Sequence, residues 1–263
     1  MTPADIGLAV VIGLVSGFLS GQFGIGGGLV TTPAIRVLLG RPALIAVGTP
    51  LLVILPTAVA GAISYHRRGM NDLRTGFIIG ASGALAAVAG AFATRLVSGS
   101  TVMIVTAVVI AYMAIDMLLL ARRDSTVSPG VVPAVPHPPT RHSTGGLVLL
   151  GLITGFYSGF LGLGGGFIVV PALVRWFGFD IKKAIGTSLV VVALLSIPGG
   201  ITHMLLGNVD IGLAGLMAIG VIPGALLGAK VTAASKERAV KIAFAVLLLA
   251  VGAVLALTET GVL

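Results

Sequence analysis

The sequence predicts an all-α integral membrane protein built as two inverted repeats, each a glycine-broken helical hairpin followed by three transmembrane helices. Three observations predict it. The 263 residues are 57% hydrophobic and only 9% charged, with a mean hydropathy of +1.15, whereas soluble domains carry about 25% charged residues. A glycine-rich motif occurs twice: GFLSGQFGIGGGLVTTPAI from Gly17 and GFYSGFLGLGGGFIVVPAL from Gly155. Both copies reduce to GFxSGxxGxGGGxxxxPA, at an offset of 138 residues (155 − 17). The basic residues, finally, sort to one side only when each motif is folded as a hairpin.

A spanning helix needs roughly 20 apolar residues. Segments 4–22, 43–65, 74–94 and 101–121 supply the first four candidates. The first of these has no basic n-region before it and no clear cleavage site after it, and is read as structure rather than as a removed leader. Segments 146–161, 184–206, 211–231 and 238–258 supply the second four. Between the sets lies ARRDSTVSPGVVPAVPHPPTRHST, which holds five of the thirteen prolines and reads as an extended linker. The domain plan is therefore a first membrane repeat over 1–121, a Pro-rich cytoplasmic linker over 122–144, and a second membrane repeat over 145–263. The halves match outside the motif as well. At the same offset, Gly48-Thr49 falls on Gly186-Thr187, Gly61 on Gly199, Gly69 on Gly207, Asp72 on Asp210 and Gly90 on Gly228. Internal duplication of this kind is a common build of secondary transporters.

After each glycine cluster comes a short apolar run, 29–39 and 167–179. At 1.5 Å per residue these reach about 17–20 Å, too short to span alone. If they are loops, Arg67, Arg68, Arg74, Arg122, Arg123 and Arg141 oppose the other ten basic residues. If each folds back as a half-helix, only Arg36, Arg41 and Arg95 lie on one side and thirteen lie opposite. The second arrangement obeys the positive-inside rule. It inverts the repeats, puts both termini outside, and fits a bacterial-type inner membrane. The net charge of +8 then reflects cytoplasmic loops, and no nucleic-acid partner is expected. With no cysteine, disulfides and Cys-ligated metal sites are excluded.

The chemistry expected at the breaks is anion binding. A half-helix starting after FGIGGGL or LGLGGGF leaves its first amides without intrahelical partners, carrying about half a positive charge together. Two inverted copies aim two such N-termini, at Gly26, Gly27, Gly28 and at Gly164, Gly165, Gly166, at one site near the midplane. The alternative is that the glycines serve close helix packing. Pro33 and Pro171 either limit the first turn or kink the helix. Thr49, Thr187 and Ser188 can donate to anion oxygens; Ser20 and Ser158 sit at matched positions within the motif. Asp116 and His203 are candidates for proton coupling. Asp116 equally fits an ion pair with Arg123, and His203 a plain hydrogen-bonded role. Arg175 either clamps an anion or snorkels to the interface.

Both motif copies, each followed by a segment opening on Gly-Thr (Gly48-Thr49-Pro50 and Gly186-Thr187-Ser188), resemble the sulfite exporter TauE/SafE family over essentially the whole chain. The resemblance implies a permease for small, often sulfur-bearing anions such as sulfite and sulfonates, coupled to an ion gradient. Pro50, opposite Ser188, departs from the second half and removes a hydroxyl there. The expected partners are a small anionic substrate and the lipid bilayer, with a homodimer left open; no cofactor or metal is expected. Two rivals remain: an anion channel of the same fold, and an intramembrane serine protease using Gly80-Ala81-Ser82-Gly83 with His203 as base.

Overall fold

In the computed structural model, residues 3–97, 99–123 and 143–259 are described; the central 124–142 of the expected linker lies outside them. The described residues form ten α-helices and no strand. The first half contains α1 (Pro3–Phe23), α2 (Gly28–Val37), α3 (Ala43–His66), α4 (Leu73–Ala93) and α5 (Gly99–Arg123), with a 3-10 turn at Thr94–Leu96. The second contains α6 (Thr144–Leu161), α7 (Gly166–Trp176), α8 (Ile181–Leu205), α9 (Ile211–Ala234) and α10 (Glu237–Glu259). Six helices, α1, α3, α4, α6, α8 and α9, are long and apolar enough to cross a membrane. The ten-residue α2 and eleven-residue α7 reach only about 15–17 Å. Both continue through their internal prolines, Pro33 and Pro171, so the prolines do not stop the short helices.

The helix pairs obey the offset found in the sequence. α1 packs along α9, and its equivalent α6 packs along α4; α3 meets α9 as α8 meets α4; α5 pairs with α10 and α3 with α8. Glycine makes the closest of these contacts. A Cβ at Gly13, Gly17 or Gly21 would overlap the carbonyl of Met217, Val221 or Ala225, so α1 and α9 run parallel. Gly151, Gly155 and Gly159 meet the carbonyls of Ile79, Gly83 and Ala87 in the same manner, which makes α6 and α4 parallel. In lipid no hydrophobic force draws helices together, and close backbone approach through small residues takes its place. In contrast, Gly61 meets Leu189 while Gly199 meets Leu51. The equivalent helices α3 and α8 are therefore antiparallel.

The backbone repeats as closely as the packing. Ten glycines have positive φ, and they form five pairs 138 residues apart: Gly24/Gly162, Gly26/Gly164, Gly27/Gly165, Gly40/Gly178 and Gly69/Gly207. No other residue type takes positive φ among the described residues, as the steric cost at a Cβ dictates. Thr49 and Thr187 tie the halves together. The Thr187 hydroxyl oxygen accepts the Asp72 amide at 2.9 Å, and the Thr49 oxygen accepts the Asp210 amide at 3.0 Å. Asp72 and Asp210 in turn cap α4 and α9, accepting the Thr75 and Leu213 amides at 3.0 Å.

Candidate functional site

The two glycine breaks touch. Gly28 lies against the Gly162 carbonyl and Leu163, and Gly166 against the Gly24 carbonyl and Ile25. Gly26 and Gly164 both adjoin Ile54 and Val192, residues midway along α3 and α8 that are themselves 138 apart. The two loops thus converge on the middle of the two central helices, with their glycines brought together as the sequence predicts.

At each break the chain turns into a short helix through a left-handed glycine, Gly27 with φ 91° and Gly165 with φ 72°. The Gly27 carbonyl accepts the amides of Val30 and Thr31, each at 3.0 Å, and the hydroxyls of Ser16 at 3.0 Å and Thr31 at 3.1 Å. The Gly165 carbonyl accepts the amides of Ile168 and Val169 at 3.0 and 3.2 Å. Among the described residues, this leaves the amides of Gly28 and Leu29, and of Gly166 and Phe167, with no acceptor. Such amides face back along the helix axis toward the bend.

Beside each turn lies a serine hydroxyl with nothing to bond. Ser20 and Ser158 are fully buried, and neither oxygen has a hydrogen-bond partner. A Cβ on Gly27 would lie 3.7 Å from the Ser20 Cβ, and one on Gly165 would lie 3.5 Å from the Ser158 Cβ. Buried hydroxyls are nearly always paired; these two are matched exceptions at two matched helix starts. Thr32, on α2, is a third buried and unpartnered hydroxyl, opposite Val170 in the second repeat. The sequence carried the signal for the two serines, since both stand inside the duplicated motif, but it favoured Thr49, Thr187 and Ser188 as hydroxyl ligands.

Those three hydroxyls have other partners. The oxygens of Thr49 and Thr187 hold the starts of α9 and α4. Ser188 Oγ sits 2.8 Å from both the Gly24 and Ile185 carbonyls, which fastens α8 to the first break. Pro50 offers no equivalent bond to Gly162. His203 is wholly buried and donates from Nε2 to the Gly159 carbonyl at 2.9 Å, while its Nδ1 has no partner. Asp116 pairs with Arg175 at 3.6 Å. The pair joins α5 to the short helix α7 and gives Arg175 a carboxylate partner; the side chain of Arg123, the partner expected along α5, lies outside the described residues. Ser82 donates to the Ile79 carbonyl at 3.0 Å, within the contact of α4 with α6.

A family model described as sulfite exporter TauE/SafE matches residues 9–255, which contain both breaks. The chain belongs to the TauE/SafE family. Relatives of the same kind span its length. YunE of Bacillus subtilis, a probable membrane transporter protein, is 27% identical over 246 residues, 88% of each chain. A probable membrane transporter protein of Haemophilus influenzae is 30% identical over 208 residues, 76% of this chain and 74% of its own. Another, from Xylella fastidiosa, is 28% identical over 230 residues, covering 87% and 85%. No solved structure matches the chain. As a TauE/SafE member the protein is a multi-pass membrane transporter, and its duplicated breaks fall within the region that defines the family.

Proposed function

We propose that this protein carries small oxyanions, foremost sulfur-bearing ones such as sulfite and sulfonates, across the bacterial inner membrane by alternating access of two inverted repeats. The observation that carries the reading is the pairing, at each break, of two acceptor-free helix amides with a buried hydroxyl that has no partner. Amides and hydroxyl are all donors, and an oxyanion is the ligand that accepts from all of them. The antiparallel course of α3 and α8 supports inversion of the repeats. Burial of Ser20 and Ser158 supports a carrier, because substrate reaches them only when the conformation changes. With thirteen of sixteen basic residues on one side, that side is the cytoplasm and both termini lie outside.

The test is a thermal-shift panel of sulfite, thiosulfate, sulfoacetate, taurine, sulfate and simple carboxylates. Binding to the folded state raises the melting temperature with log concentration once the site saturates. Oxyanions are expected to shift the melt; a shift by cations or neutral solutes alone refutes the reading. Because the chain has no native cysteine, single cysteines introduced beside Arg41 and Arg238 report orientation directly, and external labelling at Arg41 alone is the expected result.

A further inference from the structure

The cytoplasmic ends of α3 and α9, in the orientation given above, enclose a cleft of about 400 Å³ lined by Ile63, Ser64, Arg67, Arg68, Leu226, Leu227 and Lys230. We propose that this cleft binds the headgroup of an anionic phospholipid of the cytoplasmic leaflet. Arg67, Arg68 and Lys230 are exposed, and none forms an ion pair among the described residues. Three like charges in one small cleft repel unless an anion joins them. Arg68 is already held in place, donating from Nη1 to the Ser64 carbonyl at 3.1 Å and to the Ser64 hydroxyl. The remaining wall is apolar and open to the side, with Ile63 47%, Leu226 43% and Leu227 52% exposed. A soluble anion has no use for that wall, whereas an acyl chain lies along it as the phosphate meets the cations.

The duplication supplies a control within the molecule. At the offset of 138, Arg67 and Arg68 correspond to Leu205 and Leu206, and Lys230 corresponds to Phe92. None of the three corresponding positions holds a cation, so this cluster of three is not repeated in the other half.

Native mass spectrometry of the full-length protein, titrated with phosphatidylglycerol or phosphatidylcholine, tests this. Retention of phosphatidylglycerol is expected to exceed that of phosphatidylcholine and to fall about fivefold for each of Arg67→Gln and Lys230→Gln. Lys183→Gln with Lys236→Gln, which removes two charges outside the cleft against one in each cleft variant, is expected to leave the preference intact. Equal retention of the two lipids overturns the proposal. So does an equal loss in the control variant, or displacement of phosphatidylglycerol by inorganic phosphate, which would make the cleft a site for a soluble anion.

Discussion

Tyr65 and His203 stand 138 residues apart and make the same bond. Tyr65 Oη donates to the Gly21 carbonyl and His203 Nε2 to the Gly159 carbonyl, both at 2.9 Å. The acceptors are also equivalent, since each glycine lies in the last turn of the helix that enters a break. Two side chains of different chemistry thus do one job: they satisfy a buried carbonyl where the helix is about to end.

Tyr65→Phe should therefore cost stability without touching the anion site. A buried carbonyl left without its donor costs about 1–3 kcal/mol. Chemical unfolding in detergent is expected to show that loss, while the anion-induced thermal shift survives.

Ser20→Ala and Ser158→Ala should behave in the opposite way. Neither hydroxyl has a partner to lose, so the melting temperature of the ligand-free protein is expected to hold or rise. Hydrogen bonds to charged groups contribute about 1.5–3 kcal/mol. Sulfite affinity, read from the concentration dependence of the thermal shift, is expected to drop by at least about tenfold in each variant. A stability loss with unchanged affinity would assign the serines to packing.

Thr49→Val and Thr187→Val each remove an acceptor from a helix-capping aspartate's amide. Each is expected to cost about 1–3 kcal/mol. The two bonds join different helix pairs and share no partner, so the double variant should show close to the sum of the single losses. Unfolding midpoints of the four proteins supply the measurement.

Glycine substitutions should separate strain from contact. Gly69 has positive φ and open space around its missing Cβ, so Gly69→Ala is expected to cost only the left-handed penalty of about 1–2 kcal/mol. Gly17 has ordinary helical φ, but a Cβ there overlaps the Val221 backbone. Gly17→Ala is expected to separate α1 from α9 and lose more, as judged by the fraction of monodisperse protein after extraction and by its melting temperature.

Much of the fold was legible because duplication turns one ambiguous signal into two that must agree. The helix boundaries and the short returning helices follow from matched glycines and the length of apolar runs. Individual hydroxyl partners were not legible. Thr49 bonds an amide 161 residues away, and no local pattern in a Gly-Thr dipeptide distinguishes a hydroxyl that faces substrate from one that anchors a neighbouring helix. Arg175 was not legible as a partner of Asp116 for the same reason, since it comes close only once α7 folds back. Ser20 and Ser158 were visible as matched residues, but their lack of partners is a property of the packed structure alone.

The two threonine bonds bear on what can move. Thr187 on α8 holds the start of α4, and α4 lies along α6; Thr49 on α3 holds the start of α9, and α9 lies along α1. A rocking motion that split the chain at its sequence midpoint would break both bonds and shear both glycine-lined helix pairs. Under the alternating access proposed above, a motion that spared them would carry α1, α3 and α9 as one block and α4, α6 and α8 as the other. Each block is thus a chimera of the two halves, and the seam along which this transporter would open is written in neither half alone.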